Sequence, residues 1–282
     1  MPDLWGLASI ATKFALYLGV LTSVGTVLTS ILFQLSGHRR FTVMFASLGL
    51  AATLLSFSLA GATLTGDARG MTDPEMLGLL WSTPVGTAVT LRSLGLVLLV
   101  VGLFLGRIGW AFSLIGGGLA LWSFTTIGHI PGRSRPVLNL VLMFHLVAIS
   151  IWIGILSPLR TAALDANGAT DAADLGHRFG RMASVLVPLL VLAGGYMGFE
   201  LVGSLSALLG GSYGQALVLK VLFVAVLLAL AAANKLRFIP NLATGDQAAA
   251  NHLAKSISFE WMVVVAVLFS TAVLTSVLKL PA

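Results

Sequence analysis

Five histidines and no cysteines confine metal chemistry in this 282-residue chain to imidazole, thioether, carboxylate and backbone ligands. The missing thiols also remove disulfides and cysteine nucleophiles. Two histidines stand out because they interrupt apolar sequence: His129 closes one stretch and His145 sits inside the next. Ionisable groups at membrane depth are costly to keep, so each reads first as functional. If the second stretch begins near Val137, His145 is eight residues deeper, about 12 Å at helical rise. The two are then successive stations for a metal ion; a helix starting at Asn139 would bring them toward one shell.

Weaker candidates follow from helical spacing. Met197 and Glu200 are three residues apart and share a face with Tyr196, offering a thioether and a carboxylate. Met71 and Met76 lie in a long connection between two apolar stretches. Met143 is only two residues from His145, which puts it on a different helix face and makes it packing. Trp152, seven residues after His145, shares the histidine's face and reads as core aromatic. His38, His177 and His252 lie among basic residues at stretch ends, where a solvated imidazole is the plain reading.

Charges inside the apolar stretches need partners. Arg92 and Lys220 are expected to be structural, neutralised by Glu200, and Glu260 is placed where a carboxylate favours a helix N-terminus. No nucleophile–base constellation suggests an enzyme, and no phosphate-cradling loop suggests an ATP-driven pump.

The elements that must carry these residues follow from composition. Hydrophobic residues make up 57% and charged residues 9%, and mean hydropathy is +1.00, whereas a soluble domain carries about a quarter charged residues. Eight stretches approach the roughly 20 residues a bilayer requires, near 14–35, 41–65, 86–106, 108–130, 137–159, 181–202, 215–234 and 257–278. The expected fold is all-α, a polytopic membrane protein of eight transmembrane helices. The first stretch is too long for a signal-peptide core and has no charged segment before it, so it is expected to be retained. Asp73-Pro74 has the form of an N-cap followed by Pro at N1. Leu77, Leu79, Leu80 and Trp81 after it suit a short helix at the membrane interface.

Basic residues set the topology. Arg39, Arg40, Arg107, Arg160, Arg178, Arg181, Lys235, Arg237 and Lys255 lie on one side, nine in all, against five on the other: Lys13, Arg69, Arg133, Arg135 and Lys279. The positive-inside rule then puts both termini outside the cytoplasm. The net charge of +6 serves this pattern. No basic patch with interleaved aromatics points to nucleic acid.

The chain also repeats itself. Gly37-His38-Arg39-Arg40-Phe41 is echoed by Gly176-His177-Arg178-Phe179, Gly86 and Arg92 by Gly214 and Lys220, and His129-Ile130-Pro131 by Lys279-Leu280-Pro281. Two four-helix repeats in parallel orientation are expected, 1–134 and 135–282, related by an axis along the membrane normal. With Gly25 aligned to Gly154, Leu16 falls opposite His145, and His129 is replaced by Lys279. Neither histidine is demanded by the shared scaffold.

The second half carries a run of landmarks in order: Gly128-His129, His145, Trp152, Gly154, Arg178-Phe179, Tyr213-Gly214, Lys220, Asn234, Pro240, Glu260 and Thr271-Ala272 before Pro281. In this it resembles the CopD family of bacterial copper-resistance membrane proteins, closely over 128–282 and loosely before that. The resemblance implies a multi-pass protein of the bacterial inner membrane that binds copper ion, and the basic-residue count then makes both termini periplasmic. It further implies movement of copper from periplasm toward cytoplasm, beside a periplasmic copper-binding partner. Imidazole suits copper in both common oxidation states and thioether favours the reduced ion, so His129 and His145 become the leading copper ligands. Met197, Glu200, Met71 and Met76 stand behind them. The alternatives are a b-type haem electron-transfer protein, with transmembrane histidines as axial ligands, and a copper-delivery or assembly subunit.

Overall fold

Eight helices are long and apolar enough to cross a membrane in the computed structural model, which describes residues 4–128, 136–165, 168–244 and 246–278. Among the described residues there is no strand. His129 and Lys279 lie outside them.

In the first half, α1 (Leu4–Phe33) turns at Gln34–His38 into α2 (Arg39–Thr65). A 3-10 turn and the short α3 (Pro74–Trp81) lead to α4 (Pro84–Gly102) and α5 (Gly106–Trp122). The second half runs α6 (Pro136–Leu164), α7 (Ala169–Val202), the short α8 (Leu205–Gly210) and α9 (Ser212–Ala233). A π-helical turn at Asn234–Phe238 carries α9 into α10 (Ile239–Ala243), and α11 (Gln247–Ser276) completes the chain's helices. The starts of α1, α4, α6 and α9 share one end of the bundle with the close of α11, here called the proximal end.

Helix ends differ from the stretches expected from hydropathy, because hydropathy registers only the lipid-immersed part. α7 begins at Ala169 rather than near 181, with polar turns that include Asp171, Asp174 and His177. α11 begins at Gln247 rather than near 257, capped by the Asp246 side chain, which accepts from the Ala248 amide at 2.9 Å. The short helix α3 is as expected: the Asp73 carboxylate accepts from the amides of Glu75 (3.0 Å) and Met76 (3.4 Å), and Pro74 fills the first turn where no amide is needed.

Packing repeats between the halves. α1 packs on α2, α2 on α4, α4 on α5 and α5 back on α1. Likewise α6 packs on α7, α7 on the π-turn and α10, α9 on α11 and α11 on α6. Each half also folds its short helix back onto the next span through a glycine. A Cβ on Gly86 would strike the Trp81 carbonyl at the end of α3, and one on Gly214 would strike the Leu208 carbonyl in α8. α1 and α6 cross at the centre, where a Cβ on Gly25 would meet the Ser150 carbonyl and one on Gly154 would meet the backbone of Gly25. Small residues at a crossing let two backbones approach closely, a main source of helix association where lipid removes the hydrophobic drive.

The two halves are unequally enclosed. α1 is the most buried span, and its inward hydroxyls return to its own carbonyls, as Thr26 to Thr22 at 2.7 Å and Thr29 to Gly25 at 2.9 Å. α7 and α9 are the least buried, with Val185, Leu192, Phe199, Leu219 and Leu222 facing outward, as lipid-facing side chains do.

Candidate metal centre

His145 lies nine residues into α6, because that helix starts at Pro136. At helical rise this is about 14 Å from the helix start. The earlier start rules out the shallower position that a start at Asn139 would have given. The imidazole leans on α7 between Leu190 and Gly194. A Cβ on Gly194 would stand 3.4 Å from Cε1 and 3.8 Å from Nδ1 of His145, so the ring occupies the space a side chain would take. Its Nδ1 is buried and has no hydrogen-bond partner among the described residues. An orphaned ring nitrogen held in an apolar interior is a group with unused ligand capacity.

Met197 follows Gly194 by three residues and so lies one turn proximal on the same face of α7. It is buried, 7% exposed. Spacing along α7 thus turns this methionine toward the helix surface that His145 of α6 meets. Tyr196 departs from them: it lines a lipid-facing groove with Val141, Phe144 and Ala193.

The other sequence candidates are placed elsewhere. Met143 packs toward α1 and α5 beside Val24, Val27 and Gly117, as its two-residue offset from His145 requires. Met71 ends the 3-10 turn and Met76 is in α3, both in the first half against α2. His177 and His252 are exposed, and His252 stacks on Phe238 with centroids 5.9 Å apart. His38 stands at the N-cap of α2, and burial holds its imidazole below the ordinary histidine pKa. Among the described residues no three His, Asp or Glu side chains gather in a group that could hold a metal ion. Any metal at His145 therefore depends on thioether or further groups.

Of the residues expected to pair their charges, Arg92 is met by a hydroxyl and an aromatic ring. Arg92 is 2% exposed, donates from Nε to Ser123 Oγ at 2.9 Å, and lays its guanidinium 4.4 Å over the Phe124 ring.

Glu260, also 2% exposed, is thirteen residues into α11 and so far from the N-terminal turn where a helix dipole acts. Its Oε2 accepts from Trp152 Nε1 at 3.2 Å, and its Oε1 accepts from the Asn234 side-chain amide. Asn234 opens the π-turn of α9, a local widening that recurs at functional positions. The network ties α6, α9 and α11 together. Trp152 shares the His145 face of α6 two turns further along, so that face ends on a tryptophan bonded to Glu260. Sequence spacing showed the shared face but not the carboxylate at its far end, since nothing in a span's sequence states which neighbour it meets.

Two family models match the chain. One, described as copper resistance protein D-like, N-terminal domain, matches residues 1–131, and the other, copper resistance protein D, matches 173–274. No curated protein and no solved structure matches it.

Proposed function

We propose that this chain, which belongs to the copper resistance protein D family, binds copper between α6 and α7 and passes it across the bilayer from periplasm toward cytoplasm. The observation that carries the reading is the His145 ring seated against Gly194, its Nδ1 unused, one helical turn from the buried Met197. Imidazole with thioether is a donor set that suits copper, above all the reduced ion. His129, which lies outside the described residues, serves as the first station ahead of His145. Glu200, on the next turn of α7 after Met197, adds a carboxylate to the approach.

Trp152 carries the path inward along the same face of α6 to Glu260 of α11. Met71 and Met76 stand in the first half and contribute to capture rather than to the central site. The protein sits in the inner membrane with both termini periplasmic, so the proximal end faces the periplasm and receives copper there from a periplasmic binding protein. Residues 1–134 and 135–282 act as two parallel four-helix repeats, of which the second carries the copper ligands and the first, with Leu16 opposite His145, is the scaffold.

Metal analysis and an optical spectrum of the purified protein test the assignment. Near-stoichiometric copper that falls in a His145→Ala, Met197→Leu double variant supports it. A haem Soret band, or copper content unchanged in that variant, overturns it. Copper accumulation inside proteoliposomes of defined orientation tests the direction.

A further inference from the structure

Glu260 lies near the middle of α11, and its two oxygens accept from neutral donors, Trp152 Nε1 of α6 at 3.2 Å and the side-chain amide of Asn234. An ionised carboxylate only accepts hydrogen bonds, whereas a protonated one also has an O–H to give. Asn234 is matched to both states. Its amide nitrogen faces Glu260, while its Oδ1 is buried with no hydrogen-bond partner among the described residues. A half-turn about the last side-chain bond exchanges these two atoms, which are nearly equal in size. The same side chain can therefore donate to the carboxylate or accept from the carboxylic acid.

A second buried group continues the cluster. Ser256 precedes Glu260 by four residues and so shares its face of α11, about 6 Å nearer the end of the bundle opposite the proximal one. Its Oγ is also buried and without a partner among the described residues. A hydroxyl both takes and gives a hydrogen bond. A proton needs no cavity of its own, only successive groups able to bond it.

Charged groups on the helices around α11 are engaged elsewhere or distant along the chain. On α6, Arg160 donates from Nε to Ser258 Oγ at 3.0 Å, and His145 lies two turns before Trp152. In the π-turn, Lys235 donates to Ser184 Oγ of α7, and Arg237 lies 5.9 Å over the Phe238 ring. Lys13 and Tyr17 of α1 both bond to Thr275, fifteen residues beyond Glu260. Lys220 of α9 is fourteen residues before Asn234, and α10 carries no titratable side chain. His252 and Lys255 of α11 itself are exposed.

We propose that Glu260 is a proton site that exchanges one proton with the opposite end of the bundle by way of Ser256, and that a cation arriving along the Trp152 face displaces this proton. On release the O–H bond of the carboxylic acid breaks and its electron pair stays on the carboxylate. Asn234 turns its N–H toward the new charge, and the proton leaves through the Ser256 hydroxyl. The displacement rests on the copper reading and makes copper passage an exchange against protons; the proton site itself does not need copper.

The experiment uses the full chain purified in detergent, first without metal. Infrared difference spectra over a pH series follow the carbonyl band of a protonated, buried carboxyl. A band that titrates, is lost in Glu260→Gln and is kept in Glu75→Gln, whose side chain is exposed, supports the site. Trp152→Phe, which keeps a ring but loses a donor, should change the proton affinity read from that band about tenfold. If Glu260→Gln does not fold, Glu260→Asp, which should move the band, and Trp152→Phe carry the comparison. A folded wild type with no such band, or a band indifferent to the folded variants, overturns the site. Copper(I) is then added in weak buffer. Release of about one proton per copper that Glu260→Gln abolishes supports the exchange. Copper bound with no such difference overturns it. A chain that binds no copper yet keeps the titrating band overturns the copper reading and the exchange together, and supports the proton site alone.

Discussion

The imidazole of His145 on α6 fills the place of the side chain that Gly194 of α7 lacks. An Ala at 194 brings its Cβ only to ordinary contact, 3.4 Å from Cε1, whereas a branched side chain needs the ring's own volume. Gly194→Ala is therefore expected to keep copper affinity within about twofold. Gly194→Leu should weaken it at least about tenfold, a loss of about 1.4 kcal/mol, without removing a single donor atom. Copper titration of the purified variants checks both.

Direct removal of donors gives the complementary series. His145→Ala and Met197→Leu should each lower copper affinity about tenfold or more, and His129→Ala should do so at the first station. His252→Ala should be silent, because its exposed ring is stacked on Phe238 and faces no interior site. Full copper stoichiometry in both His129→Ala and His145→Ala would end this site assignment.

Among the described residues Glu260 accepts from both the Trp152 indole and the Asn234 amide. Glu260→Ala should destabilise the fold by about 1–3 kcal/mol for each donor left buried and unpaired. Thermal unfolding followed by tryptophan fluorescence reads the loss, and Glu260→Gln, which keeps one acceptor oxygen, should fall between wild type and Ala.

At the crossing of α1 and α6 the obstacle to a side chain is backbone, which cannot swing aside. Gly154→Val should therefore cost more than the about 1–3 kcal/mol usual for overpacking. Size-exclusion profiles and melting curves should show a large loss of folded protein, where the open Gly118 tolerates the same change.

The orientation is checked by single cysteines at Gly37 and Thr170 in the cysteine-free chain. Both should be shielded from an impermeant thiol reagent applied to intact cells and react once the membrane is opened. Labelling from outside would invert the topology.

Much of this molecule was legible in its residues. Eight spans follow from the amount of apolar sequence, α3 from Asp73-Pro74, and the separation of Met143 from His145 from a two-residue offset. Other features depend on which helix lies beside which, and a span's own residues do not encode that. Arg92 called for an acid by its charge alone, yet Ser123 and Phe124 met it from α5's end. Lys13 was counted among loop charges setting topology, although its position nine residues into α1 marks it as an interior group. The π-turn at Asn234 has no hydropathy signature, since adding one residue to a helical turn leaves composition untouched. The meeting of His145 with Gly194 needed the structure.

The contact of Gly25 with Gly154 also limits how the halves can move. Two backbones in direct contact can pivot about the point of contact but cannot slide past it without lifting apart. A motion of the halves that keeps this contact is thus a pivot about it rather than a slide, and displacement then grows with distance from it along both spans.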